Sequence, residues 1–223
     1  RQTPIACVLF AECVHAAGLP AGVFQLVQGV ASEIGAEFLE NPLCRKITFT
    51  GSTEVGQWLI RGAAERVKPL SLELGGHRPC LVFEDVDLDQ AIEGVMMAKF
   101  RNSGQSCIAA NRIYVQRSIH DKFLETFVGR VRAMKVGPGL EAGVAIGPLI
   151  DEEAVATAAR HVAAATRRRA RPPAGGRPLG GTDFFFPPPA LAGAAAPPLC
   201  TPGAPLSPLP PLLFSPSALP PPP

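Results

Sequence analysis

The sequence has no uninterrupted apolar run of 18 residues, so no membrane-spanning helix is expected, and no secretory leader is visible. Charge imbalance is also missing. Twenty-one Lys and Arg against 19 Asp and Glu leave a net charge of +2, which gives nucleic acid and acidic membrane surfaces little to hold. None of the six cysteines forms a C-x-x-C pair, so neither a disulfide framework nor a metal site is expected. Thiols in apolar settings such as Pro79-Cys80-Leu81-Val82 fit a reduced, cytoplasmic protein, or the mitochondrial matrix if the source is eukaryotic. There is no internal repeat, no G-x-G-x-x-G and no Gly-Lys-Ser/Thr of a P-loop. The chain opens on Arg1 in mid-element, which reads as a piece lacking its N-terminal part.

Proline is abundant but segregated: of 25 prolines, 18 lie in residues 172–223, where Arg177 and Asp183 are the only charged side chains. Proline removes a backbone donor and fixes φ, so this stretch is expected to be a degenerate or disordered tail without helices or central strands. Residues 1–171 alternate instead. Helices are expected at Ala6–Ala17, Ser32–Leu39 behind a Ser cap, Ser52–Glu65, Leu88–Phe100, His120–Met134 and after Asp151. Strands are expected at Val23–Val27, Arg45–Phe49, Val67–Leu74, Cys80–Phe83 and Arg112–Val115. Strands alternating with helices of 10–15 residues imply βαβ units and an α/β class with a parallel sheet, whose ligands sit beyond the carboxyl ends of the strands.

Three segments carry candidate chemistry. Ile47 to Gly56 reads as a strand, a tight turn at Gly51-Ser52 and a helix start, where free N–H groups favour an anion such as pyrophosphate. An ordinary capped helix explains the same residues. Glu73 ends an apolar strand before Gly75-Gly76, and its flanking Leu72 and Leu74 should partly desolvate it, as suits a general base. A solvent-facing strand end is the plain alternative. Phe100 to Cys107 is a polar, glycine-containing loop ending in a thiol that could act as a nucleophile. A buried inert thiol, or a Cys–His pair using His77 or His120, competes with that role.

Taken together, Phe49-Thr50-Gly51-Ser52-Thr53-Glu54-Val55-Gly56, Glu73-Leu74-Gly75-Gly76 and Gly104-Gln105-Ser106-Cys107 resemble the aldehyde dehydrogenase superfamily in their order. The interval of 34 residues from Glu73 to Cys107 is also that family's, and the resemblance runs from residue 1 to about 171. Lys99-Phe100-Arg101-Asn102, Ala110 to Gln116 and Ile146 to Glu152 are similar to the succinate-semialdehyde dehydrogenase branch.

The resemblance implies an aldehyde dehydrogenase-like α/β fold. Residues 1–74 would close a Rossmann-type NAD(P)-binding domain, 75–171 would begin the catalytic domain, and 172–223 would be the tail. It implies Cys107 as nucleophile and Glu73 as base, with NAD or NADP against Gly51, Ser52, Gly56 and Leu74. Arg101 would hold the substrate carboxylate, since a guanidinium matches a carboxylate through two hydrogen bonds.

The implied partners are a small-molecule aldehyde and further copies of the parent chain in a homo-oligomer, with no nucleic acid and no membrane. Alternatives are another semialdehyde or broad-specificity aldehyde dehydrogenase, or an inactive truncated product.

Some family features are missing from the sequence. The oxyanion asparagine and ribose lysine would lie upstream of Arg1. Pro202-Gly203-Ala204-Pro205 stands where the family's second cofactor glutamate is expected, and Ala109 replaces the second cysteine of a redox switch.

Overall fold

The computed structural model describes residues 3–76, 78–167, 171–174, 184–192 and 212–214. The chain forms two compact units, residues 1–50 with 54–72 and residues 51–53 with 73–223.

The first unit holds α1 (Pro4–Ala16), α2 (Ala31–Glu40), β1 (Ile47–Gly51) and α3 (Thr53–Ala64), and leads into β2 (Leu70–Leu74), which pairs with β1. Its core is Leu39, Ile47, Leu59 and Ala63, with Phe49, Leu70 and Leu72 partly buried against them. Proline at the start of α1 costs nothing there, because the first helical N–H groups have no partner in the helix. The helix nevertheless buries none of its residues. Helix α2 begins one residue earlier than expected, with Val30 at its cap and no side-chain capping bond, so Ser32 lies inside the first turn.

Two expected strands change. Val23–Val27 forms no strand: an apolar run becomes one only when a neighbour takes its backbone bonds, and no strand lies alongside among the described residues. Val67 is not strand either; at φ 51° it is left-handed. Its N–H donates to Ala64 O at 3.2 Å, and the Lys68 N–H donates to Ala63 O at 3.0 Å. This is a Schellman cap with valine where glycine is usual. Buried Lys68 then donates to Phe38 O and Asn41 O, both at 2.7 Å, satisfying carbonyls at the end of α2.

The second unit contains a five-stranded sheet in the order β3-β4-β9-β8-β7, with β3 (Arg78–Val82), β4 (Ala110–Val115), β7 (Arg171–Ala174), β8 (Ala190–Ala192) and β9 (Leu212–Phe214). Pairs β3–β4, β4–β9 and β8–β9 are parallel, and β7–β8 is antiparallel. Helix α4 (Leu88–Phe100) links β3 to β4, which is the crossover a parallel pair requires. Asp87 caps α4 by accepting from the Gln90 N–H at 2.9 Å. Helix α5 (His120–Arg132) follows β4, and its Phe123 and Phe127, at 0% exposure, join Ile92, Val95 and Phe100 of α4 and Ile113 and Val115 of β4 in the main core. A small parallel pair, β5 (Lys135–Val136) and β6 (Val144–Ile146), precedes α6 (Glu152–Arg167).

The proline-rich stretch was expected to stay out of the sheet, yet it contributes strands. Central β8 and β9 use the proline-free intervals Ala190–Ala192 and Leu212–Phe214. The prolines of the sheet, Pro79, Pro172 and Pro173, lie on its edge strands β3 and β7, where a missing N–H spoils no ladder on the free side. Residues 184–189 run outside the sheet, with Phe186 buried against Leu149 and against Ala158 and Val162 of α6, and the remainder of that stretch lies outside the described residues.

Candidate active site

Cys107 lies on the connection from α4 to β4, half-buried, beyond a single 3-10 turn at Arg101–Gly104. That turn is unusual. Asn102 (φ 55°, ψ 40°), Ser103 (φ 57°, ψ 25°) and Gly104 (φ 78°) are left-handed in succession. Glycine adopts this region freely, whereas an L side chain there costs roughly 1–2 kcal/mol. Such a conformation persists only where the surroundings over-determine it.

The surroundings do so through side chains. Ser103 Oγ accepts from the Gly147 N–H at 3.1 Å and lies 3.2 Å from Gly147 O, to which it can donate. Gln105 Oε1 accepts from the Ile150 N–H at 2.9 Å. Within the loop, the Gln105 N–H donates to Asn102 O and Asn102 Nδ2 to Gln105 O, both at 3.0 Å. The stretch from β6 to α6 thus brackets the thiol loop from outside. Among the described residues, no hydrogen bond engages the Cys107 N–H.

Beneath the loop is a group that sequence reasoning missed. Lys99, 2% exposed, donates from Nζ to Oδ1 of buried Asn111 at 2.5 Å, and burial pulls its ammonium down to about 7. The clue was legible: Ile92, Val95 and Lys99 fall at i, i+3 and i+7, so the lysine sits on the apolar stripe of α4. Ser103 and Gln105 as tethers had no such signal, because their partners are backbone groups some 44 and 45 positions away.

Glu73 is on β2, between half-buried Leu72 and Leu74, and is itself exposed. The desolvation expected from its leucine neighbours is absent, because strand alternation turns it to the opposite face from them. Gly51 ends β1, Ser52 immediately precedes α3, and Gly56 is buried within α3. Glu73, Leu74, Arg101, Cys107, Gly51 and Ser52 all belong to the second unit, and Gly56 to the first. Arg101, exposed, ends α4.

The other cysteines differ from Cys107. Cys80 sits against the main core, and burial pushes its thiol up, as for an inert packed cysteine. Of the histidines considered as partners for Cys107, His120 instead has Nδ1 2.9 Å from Asp121 Oδ1, and His77 lies outside the described residues.

The first unit carries a cavity of about 880 Å³, within the usual size of small-molecule sites. Thr48 and Phe49 of β1, Val55 and Trp58 of α3, Gly29 and Ile34 line it. Its wall is mainly apolar, which suits a flat ring system, and it includes residues on both chain sides of the Gly51-Ser52 turn.

The aldehyde dehydrogenase family model matches residues 1–197. The chain belongs to the aldehyde dehydrogenase family. Its α/β architecture agrees: the succinate-semialdehyde dehydrogenase crystal structure from Burkholderia pseudomallei superposes with a TM-score of 0.89 at 40% identity, over 96% of this chain and 44% of that one. Glutarate-semialdehyde dehydrogenase of Pseudomonas aeruginosa is 49% identical over 161 residues, 72% of this chain and 33% of that protein. NADP-dependent succinate-semialdehyde dehydrogenase of Escherichia coli is 50% identical over the same length and shares. This family member therefore spans about a third of the length of the curated relatives it matches. Among the described residues, no helix is long and apolar enough to cross a membrane.

Proposed function

We propose that the protein to which this chain belongs oxidises a carboxylated aldehyde, succinate semialdehyde, to the diacid with NAD or NADP. The observation that carries the reading is the tethered thiol loop, which sets a guanidinium, Arg101, and a half-buried thiol, Cys107, at its two ends.

Arg101 holds the substrate carboxylate in two hydrogen bonds and leaves the aldehyde toward the thiol. The Cys107 thiolate adds to the carbonyl carbon, and its own N–H faces the oxygen on which charge develops. A bound nicotinamide supplies the hydride acceptor. Gly51, Ser52, Gly56 and Leu74, with the cavity beside β1, hold that dinucleotide, and the cavity's size and apolar wall fit its ring systems. Glu73, exposed and so open to water, takes a proton from the water that cleaves the thioester, releasing acid and thiol. In this division of labour the chemistry of Cys107, Glu73 and Arg101 belongs to the second unit, and the parent enzyme assembles as a homo-oligomer.

Glutarate semialdehyde is the second reading, supported by the 49% identical relative that bears its name. The test is protection. Millimolar succinate semialdehyde should slow alkylation of Cys107 by iodoacetamide, and butanal of equal length should not. Equal protection by both aldehydes would point to a broad-specificity enzyme, and none by either would remove Cys107 as the nucleophile.

A further inference from the structure

Lys99 belongs to none of the steps above, yet it is the most completely buried charged side chain among the described residues. It lies at the end of α4, two residues before Arg101, and its partner Asn111 is the second residue of β4, four residues after Cys107. The bond between them, at 2.5 Å and twelve positions apart in sequence, closes the base of the loop that carries both functional residues. Lys99 also lies against the strained turn. A Cβ placed on Gly104 would meet Lys99 O at 3.3 Å and Lys99 Nζ at 3.4 Å. A buried amine is costly to keep, and an apolar residue of similar length would fill the same space without that cost. Its presence calls for a role that methionine or leucine would not serve.

We propose that Lys99 is a positioning residue for substrate choice: its clip to Asn111, with its side chain lying beside the α-carbon of Gly104, fixes Arg101 and Cys107 relative to one another. The proposal rests on the reading of Cys107 as nucleophile and Arg101 as carboxylate anchor. A pair of residues can prefer a carboxylated substrate only if the distance between them is held. Two residues on a free loop of this length would not hold it, since small misplacements cost large factors in rate. The outer tethers at Ser103 and Gln105 fix the middle of the loop; the Lys99–Asn111 bond fixes its ends.

The test uses two alkylating reagents of similar size, iodoacetate and iodoacetamide. In each, the thiolate displaces iodide; only the first carries a carboxylate. The ratio of their rates at Cys107 in the 223-residue chain, resolved by peptide mass spectrometry, is normalised to the ratio at exposed Cys13. In the wild type this normalised ratio should exceed one several-fold. Arg101→Gln should bring it to about one. If it does not, the carboxylate-anchor reading itself fails.

With that established, Lys99→Met/Asn111→Leu, which removes both ends of the Lys99–Asn111 bond, should also bring the ratio to about one while the thermal transition is kept. Asn111→Asp, which hands the amine a carboxylate of the same size, should keep the wild-type ratio. A folded double variant with the wild-type ratio would overturn the positioning role, as would an Asn111→Asp protein with a lowered one. Should the double variant fail to fold, Asn111→Ser decides the matter. It withdraws the acceptor from the Lys99 amine and leaves the loop's own residues in place, so an unchanged ratio there also overturns the proposal.

Discussion

A lysine whose ammonium is pulled down to about 7 leaves a pH signature on folding. In the unfolded chain the same group titrates near 10.4. Between those values the unfolded state binds a proton that the folded state does not, so stability rises with pH from about 7 to about 10; below 7 both states are charged and this group adds no slope. Urea unfolding of the wild type should therefore show more gain between pH 7 and 9.5 than Lys99→Met/Asn111→Leu shows. Parallel pH curves for the two proteins would mean that the amine is solvated. Val67 offers a second test. It occupies the left-handed cap position with 87% exposure, so its side chain contributes little packing to set against the strain. Val67→Gly should raise stability by about 1 kcal/mol, read as a higher urea midpoint at unchanged slope.

At the scale of elements, α2 and α3 meet closely at Gly62, where an added Cβ would force Leu39 to shift. A Cβ on Gly62 would lie 2.6 Å from Leu39 Cδ1, and Leu39 is itself 7% exposed and has little room to retreat. Gly62→Ala should cost about 1–3 kcal/mol by overpacking, and adding Leu39→Ala should recover part of that loss. Simple additivity in the double-mutant cycle would show that the two residues do not touch. The Asp87 cap of α4 belongs to the same scale: Asp87→Ala should cost about 1 kcal/mol and lower the thermal midpoint without altering the alkylation of Cys107. The thiol loop is an element built by its tethers. Its left-handed residues have no helical or strand ladder of their own, and side-chain bonds to Gly147 and Ile150 stand in for one.

For the whole molecule, the second unit depends on a distant segment. Strand β9 lies between β4 and β8, so the sheet is continuous only if residues 212–214 arrive. A chain ending at Pro211 should leave the β4 edge open. Its unfolding midpoint should fall and its binding of a hydrophobic dye should rise, and an unchanged midpoint would place the weight of the sheet elsewhere. Catalysis is a property of this scale too. The resemblance calls for a second oxyanion donor besides the Cys107 N–H, and an enzyme deprived of one such donor loses roughly a hundred- to a thousandfold in rate. Semialdehyde-dependent NADPH formation by the 223-residue chain should not exceed that of its Cys107→Ala variant.

Periodicity and spacing determined much by themselves. The 3.6-residue pattern located α4, α5 and α6 closely, alternation located β1 and β4, and the order of the Gly51-Ser52, Glu73 and Cys107 segments pointed to the family that the comparisons then showed. These are local or nearest-neighbour properties, written in the chain within a turn or two of each residue. Tertiary structure decided what depends on partners from elsewhere. Val23–Val27 has strand character but finds no ladder, and Leu212–Phe214, in a run dismissed for its prolines, becomes central because β4 and β8 supply both sides. Lys99 bore a helix-stripe position in the sequence, but only the arrival of Asn111 beside it made the position tolerable for an amine. Burial of a charge and pairing of a strand each need a second segment to approach, and such approach is decided by the fold as a whole.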